Sequence, residues 1–193
     1  SDVSTATRLC DGALILVDVL EGVCTQTHAV VYKALKERMR PCLVLNKLDR
    51  MILEMKLSPS EAFQHLKRIV ENINALAYSL VVAELRSSTN DNDNENNVNL
   101  EHPLFAEWTF APEKANVVFA SALDCWGFGL IKFANIWSKK LEINKGALQK
   151  YLFEDYAYHP AEKKLVMCDP SKPHIVPMFV KMILEPIWQL YDI

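Results

Sequence analysis

The sequence predicts an α/β fold in which a parallel sheet carries helices on both faces. Three short apolar runs, at residues 13–17, 42–45 and 116–120, have the continuous apolar character of strands that are buried on both sides. Two segments with apolar residues at helical spacing separate these runs. Because strands that alternate with helices form β-α-β units with right-handed crossovers, we expect the three strands to lie parallel in one sheet.

The first predicted helix follows a turn through Glu21 and Gly22, with Thr25 or Thr27 as its cap. Its end is expected near Met39, before Pro41. The buried stripe of this helix is expected to consist of four apolar residues at helical spacing: Val30, Val31, Ala34 and Leu35.

The second predicted helix has a clear start signal. Ser58 supplies an N-cap, Pro59 occupies the first helical position and Glu61 completes a capping box. Its buried stripe is expected to contain Phe63, Leu66, Ile69, Val70, Ile73 and Leu76 or Ala77. The segment from about 86 to 100 is rich in Asn and Asp and has too few apolar residues to offset the entropy lost on ordering, so we expect a disordered surface insertion there.

Beyond the third strand the pattern predicts a smaller second unit. Helices are expected at about 130–140 and 147–153, with a hairpin across residues 156–167. An amphipathic helix is expected from about 178 to 191, and Pro186 should kink or restart it. We therefore divide the chain into a first unit at 1–127 and a second at 128–193.

Composition is that of a globular chain without a strong electrostatic preference. The chain has 193 residues, half of them hydrophobic, with a net charge of −3 and a pI near 6.0. This charge gives no overall case for binding nucleic acid or an anionic membrane. The five cysteines are widely spaced and form no C-x-x-C pair, which favours reduced structural thiols.

The strongest functional motif is Asn46-Lys47-Leu48-Asp49, which follows the second strand. Ligands of doubly wound sheets bind beyond the carboxyl ends of the strands. The Asp49 carboxylate can accept from the N1–H and the exocyclic amino group of guanine together, whereas adenine offers no such pair of donors on that edge. Asn46 can bridge neighbouring loops, and the stem of Lys47 can lie over the base. The alternative is a solvated turn at the end of a strand.

A second motif, Ser121-Ala122-Leu123, follows the third strand. Its small residues would let backbone N–H groups approach the guanine O6, and Ser121 can brace the turn. Alone it is a weak signal, but the pair of strand-plus-loop motifs predicts a guanine-binding site. Asp18, at the end of the first strand, can cap the next turn or stand behind the groups that contact the ligand.

These motifs belong to a wider resemblance. Residues 11–18, 21–27 and 46–50 resemble the G domain of ribosomal translocase GTPases of the elongation factor 2 and elongation factor G class. Four further stretches look more like the elongation factor-like GTPases of ribosome biogenesis: residues 72–76, 116–124, 126–129 and 183–192. The resemblance implies an incomplete P-loop NTPase-type G domain, followed by part of an inserted α+β subdomain.

The resemblance also implies a function. Family members bind and hydrolyse GTP with Mg²⁺, and the ribosome-biogenesis branch acts in the cytoplasm on the large ribosomal subunit. There, together with a partner protein, GTP hydrolysis helps to release an anti-association factor. Asn46, Lys47, Asp49, Ser121, Ala122 and Leu123 would form the base pocket.

The chain departs from the family in its phosphate-binding motifs. None of its five glycines fits G-x-x-x-x-G-K-[ST], and its D-x-x-G match, at Asp124–Gly127, lies after the third strand, in the wrong place for a γ-phosphate sensor. We expect the chain to begin just after that sensor and to stop inside the inserted subdomain, with no catalytic residue of its own. The Mg²⁺ ligands are then expected in a preceding segment.

Two alternatives remain open from the sequence. The chain could come from elongation factor 2 itself, a translocase of protein synthesis. It could also belong to a non-hydrolysing scaffold with a GTPase-like fold, such as the GTPase-like component of the spliceosome, in which the pocket serves assembly.

Overall fold

The computed structural model describes residues 10–88, 99–169, 171 and 175–191. Its main sheet has the order β1-β2-β3-β4, formed by Gly12–Asp18, Arg40–Asn46, Val117–Ser121 and Trp126–Gly129. Strands β1 and β2 pair in parallel, as do β2 and β3. The predicted parallel arrangement of the three strands is therefore confirmed, and their carboxyl ends meet at one edge of the sheet.

The sequence did not predict the fourth strand. β4 pairs antiparallel with β3, with Gly127 opposite Ala120 and Phe128 opposite Phe119. A Cβ atom at Gly127 would lie 3.4 Å from the Cβ of Ala120, which is an ordinary van der Waals contact. Because β4 has only four residues, two of them glycines, the sheet pairing rather than local propensity determines its conformation.

The α-helices are α1 (Thr25–Lys36), α2 (Leu48–Leu53), α3 (Pro59–Ser88), α4 (Pro103–Glu107), α5 (Leu130–Leu141), α6 (Lys145–Tyr151) and α7 (Glu185–Tyr191). A 3₁₀ turn at Pro112–Lys114 precedes β3. None of the described helices is long and apolar enough to cross a membrane. All five cysteines are free thiols.

Helix α1 differs from its prediction in three details. Its N-cap is Cys24 rather than a threonine, and the Thr27 hydroxyl accepts a hydrogen bond from the Cys24 N–H at 3.3 Å. Val30 is exposed, so the buried stripe is narrower than predicted. The helix ends at Lys36 because the chain turns at Arg38, whose φ is +54°.

Helix α3 confirms the predicted start and stripe. The Ser58 N–H donates to Glu61 Oε2 at 2.8 Å, and the Glu61 N–H donates to Ser58 Oγ at 3.3 Å. The predicted apolar stripe is buried. The helix extends to Ser88, so the expected insertion does not start at residue 86. Most of that predicted insertion, residues 89–98, lies outside the described residues.

The second unit has the predicted elements. Helices α5 and α6 are followed by a hairpin of β5 (Tyr156–His159) and β6 (Lys164–Met167). The terminal helix contains a π-helical segment, Val180–Leu184, directly before α7. Pro186 lacks an N–H to donate, and a wider turn relieves the clash of its ring with the preceding turn.

One aromatic cluster joins this second unit to the sheet. The Phe119 ring on β3 lies 5.2 Å from that of Phe179 and 5.5 Å from that of Phe153. Phe63 of α3 contacts the same two rings at 5.4 Å. The predicted boundary between residues 127 and 128 falls inside β4, and the division into two units stays a prediction.

The two faces of the sheet are unequally covered at β1. Ile15 and Val17 are buried on one face, whereas Leu14 and Leu16 on the other are 67% and 61% exposed. Helix α1 packs against β1 and α3. The sequence predicted helices on both faces of the sheet. Among the described residues, only one face of β1 is covered.

Candidate functional site

The loops after β2 and β3 meet at the carboxyl edge of the sheet. Asn46 ends β2, and its Oδ1 accepts a hydrogen bond from the Ala122 N–H at 3.0 Å, across 76 residues of sequence. The two motifs identified in the sequence therefore lie side by side, and Asn46 bridges them as expected from its amide. The backbone N–H groups of this loop were predicted to approach a ligand, but the N–H of Ala122 donates to Asn46 instead.

Lys47 has a left-handed backbone and a charged partner. Its φ is +69°, and α2 begins at the next residue. Its Nζ lies 2.5 Å from Oδ2 of Asp18, the last residue of β1. Asp18 Oδ1 also accepts from the Leu20 N–H at 2.9 Å. Asp18 thus caps the following turn, which is one of its two predicted roles, and also pairs with Lys47. Its other predicted role, behind the groups that contact a ligand, stays a prediction.

The groups around Asp18 lower the pKa of its carboxyl group. Burial alone would raise its pKa. The hydrogen bonds from Lys47 and from the Leu20 N–H, together with the charges of Lys47 and Arg50, outweigh burial and hold the pKa of Asp18 below the ordinary value. Asp18 is therefore an anion at neutral pH and attracts the Lys47 ammonium.

Asp49 is the most unusual polar residue of the site. Its side chain lies in the first turn of α2 and is 1% exposed. Its Oδ1 is buried and accepts no hydrogen bond from any described residue. A buried acceptor without a partner costs about 1–3 kcal/mol, and more if it is charged. Such an atom is a ready acceptor for a ligand with N–H donors.

The loop after β3 is braced from within. Ser121 is fully buried, its Oγ donates to Asp124 Oδ2 at 3.0 Å, and it accepts from the Asp124 N–H at 3.2 Å. The predicted bracing role of Ser121 is therefore visible in the hydrogen bonds. Leu123, by contrast, has a largely exposed side chain that is free to cover a ligand.

Sequence reasoning did not identify the C-terminal contribution to this site. The Tyr191 hydroxyl, on the last turn of α7, donates to Asp124 Oδ2. Trp126 Nε1 donates to the Tyr191 hydroxyl at 3.0 Å. No local pattern links these residues, because 67 residues separate Tyr191 from Asp124. Asp124, the acidic residue of the misplaced D-x-x-G match, serves here as an acceptor within the loop.

The arrangement suits a flat ring with neighbouring N–H donors. It presents a buried carboxylate oxygen, a lysine stem and an exposed leucine around the junction of two loops. The described residues contain no cluster of three or more side chains that could hold a metal ion.

Comparison with known proteins agrees with this geometry. The family model described as the elongation factor Tu GTP-binding domain matches residues 1–183. The whole chain is 44% identical to a human protein named elongation factor-like GTPase 1. It is 44% and 40% identical to proteins named ribosome assembly protein 1 from Schizosaccharomyces pombe and Saccharomyces cerevisiae. The chain spans 18% of the length of each of these relatives.

Proposed function

Because the chain belongs to the family of the elongation factor Tu GTP-binding domain, we propose that it supplies the guanine-recognition half of a GTP site. The site is part of a longer GTPase, called the parent protein below. The observation that carries the proposal is the unpaired Asp49 Oδ1 at the carboxyl edge of the sheet.

Asp49 is the residue that reads the base. Guanine carries N1–H and an exocyclic amino group on one edge, and the two carboxylate oxygens accept from both. Because the acceptor is charged, each hydrogen bond contributes about 1.5–3 kcal/mol. This match supports guanine over adenine, which has no such donor pair.

The other site residues shape the pocket around Asp49. Asn46 fixes the loop after β3 by accepting from the Ala122 N–H, and this holds the other backbone N–H groups of the loop near the guanine O6. Lys47 lies along the plane of the base with its ammonium on Asp18.

The phosphates are held elsewhere in the parent protein. A phosphate loop, its lysine and the Mg²⁺ ligands are assigned to a segment outside this chain, since no such motif occurs in it. In that complex Mg²⁺ would neutralise charge on the β- and γ-phosphates. The residues of this chain bind and orient the base.

The relatives indicate the process in which the parent acts. Two of them are named ribosome assembly proteins, and the human relative is named an elongation factor-like GTPase. We therefore assign the parent to cytoplasmic maturation of the large ribosomal subunit. There it would work with a maturation partner protein in releasing an anti-association factor.

Depletion of the parent distinguishes this assignment from its main alternative. Depletion of a maturation factor leaves cells with large subunits that fail to join small subunits, while mature ribosomes continue to elongate peptides. Depletion of an elongation factor 2 has the reverse effect: the subunits are normal and elongation stalls. Stalled elongation on otherwise normal ribosomes would overturn the assignment.

The base pocket is tested by exchanging its acceptor. Wild-type parent and Asp49→Asn are compared for binding of GTP, ATP and xanthosine triphosphate. Xanthine replaces the guanine amino group with a carbonyl, to which an Asn amide can donate. We expect wild type to prefer GTP and the variant to prefer xanthosine triphosphate.

Glu54→Gln is the matched control, because Glu54 follows α2 and its side chain is exposed. It should leave all three affinities unchanged. If wild-type protein binds ATP as tightly as GTP, the guanine proposal is wrong and a scaffold role becomes the better explanation.

A further inference from the structure

Helix α7 packs against α2, whose first turn holds Asp49, and contacts the loop after β3. Trp188 Nε1 donates to the Leu57 carbonyl at 2.7 Å, in the segment that follows α2. One turn later, the Tyr191 hydroxyl donates to Asp124 in the loop after β3. A single short helix therefore contacts both the segment that follows α2 and the loop after β3.

The contact at Tyr191 continues into the loop itself. Oδ2 of Asp124 accepts from both the Tyr191 hydroxyl and Ser121 Oγ. Ser121 is fully buried and directly precedes Ala122, the residue tied to Asn46. Hydrogen bonds to a carboxylate are about twice as strong as those between neutral groups. The hydrogen bonds that link Tyr191 to Asp124 and Asp124 to Ser121 thus fix the loop from the side of α7.

The Tyr191 hydroxyl lies in a setting that keeps it protonated. Burial raises the pKa of the Tyr191 hydroxyl, and so do its hydrogen bond to Asp124 and the charges of Asp124 and Asp49. The hydroxyl therefore keeps its proton and acts as a donor at neutral pH. Trp126 Nε1 donates a hydrogen bond to the same oxygen, and this bond lowers the pKa of Tyr191 without reversing the overall rise.

We infer that Tyr191 is a positioning residue for guanine recognition, which holds the loop of Ser121, Ala122 and Leu123 through Asp124. This inference rests on the proposed function, because it deepens the role of the same pocket. Its consequence is coupling: a movement of α7 changes guanine affinity, and guanine binding stabilises the docked position of α7 by the same factor.

The experiment uses the parent protein with Tyr191→Phe, which removes one hydroxyl and keeps the ring. Binding is measured for GTP, inosine triphosphate and ATP. GTP and inosine triphosphate both carry O6, but inosine lacks the amino group that would contact Asp49. We expect Tyr191→Phe to lower the affinities for GTP and for inosine triphosphate equally, by about fivefold. The weak affinity for ATP should stay unchanged.

The matched control is Leu190→Ala on the same helix, because the Leu190 side chain is 71% exposed. It should change none of the affinities. In a double-mutant cycle, Asp124→Ala combined with Tyr191→Phe should be no weaker than Asp124→Ala alone. Amide hydrogen exchange of residues 121–125, measured without nucleotide, should accelerate in Tyr191→Phe and not in Leu190→Ala.

The outcomes separate this inference from the proposed function. If wild-type protein prefers GTP and Asp49→Asn switches that preference, the pocket stands whatever Tyr191→Phe does. Unchanged affinities and unchanged exchange in Tyr191→Phe would then overturn the role of Tyr191 alone. An equal loss for all three nucleotides would also overturn it, since it would indicate general destabilisation. Absence of any GTP preference in wild type would overturn both.

Discussion

The Lys47 ammonium lies 2.5 Å from the Asp18 carboxylate and so joins the ends of two neighbouring parallel strands. Asp18 closes β1, and Lys47 follows the last residue of β2. The pair also holds a lysine whose backbone is left-handed. It therefore keeps the turn between β2 and α2 in the conformation that buries Asp49.

The first prediction concerns the contribution of this pair to stability. Asp18→Asn keeps an oxygen for the Leu20 N–H but removes the negative charge that attracts Lys47. We expect the free energy of unfolding to fall by about 1 kcal/mol, because the partly exposed lysine limits the gain. Urea denaturation measures this free energy. Glu54→Gln breaks the exposed ion pair with Arg50 and should lower the free energy of unfolding far less. Equal decreases in the two variants would contradict the prediction.

The second prediction is the pH dependence of the same residue. The pKa of Asp18 is lowered in the folded state, so its stabilising contribution is complete above the pKa of the unfolded chain, near 4. That contribution is lost as pH falls through the lower folded pKa. The difference in unfolding free energy between wild type and Asp18→Asn should therefore be constant from about pH 7 to 5 and shrink below about pH 4. A difference that grows on acidification would contradict it.

The third prediction tests the link between the two loops. Asn46→Ala removes the acceptor of the Ala122 N–H. We expect faster hydrogen exchange of that amide and a loss of about 1 kcal/mol of stability, the usual contribution of one such bond. Asn46→Asp retains an acceptor oxygen and should keep the amide protected. Equal exchange in all three proteins would show that the hydrogen bond does not hold the loop.

The sequence predicted those parts of the site that the sheet alone positions. Asn46 ends β2 and Ala122 follows β3, its parallel neighbour, so their proximity follows from strand order. Asp18 was expected at the same edge, although its pairing with Lys47 depends on the left-handed turn at Lys47. Local patterns thus sufficed where strand ends determine the geometry.

Tyr191 and β4 could not be predicted in this way. The position of Tyr191 depends on how the C-terminal helix packs against the core, which involves Phe179 and Trp188 far from the loop in sequence. The four residues of β4 carry two glycines and become a strand by pairing with β3. Long-range packing decides both, and neither leaves a periodic signal in the sequence.

The fourth prediction concerns the shared aromatic core. Phe179 is fully buried and contacts rings from α3, from β3 and from the segment after α6. Phe179→Ala should lower the unfolding free energy by about 3–5 kcal/mol. The exposed Leu190→Ala should change it by less than about 0.5 kcal/mol. If Phe179→Ala unfolds residues 175–191 but leaves the sheet at its wild-type stability, the core is not shared.

The fifth prediction is that the 193-residue chain alone does not hydrolyse GTP. Phosphoryl transfer depends on positioning the phosphates and neutralising their charge, and the groups of this chain that meet at the site face the base. Phosphate release with Mg²⁺ should therefore equal that of the Asp49→Asn chain and of buffer. The parent protein, assayed at the same concentration, should turn over GTP. Turnover by the isolated chain that Asp49→Asn abolishes would show that this chain holds catalytic groups of its own.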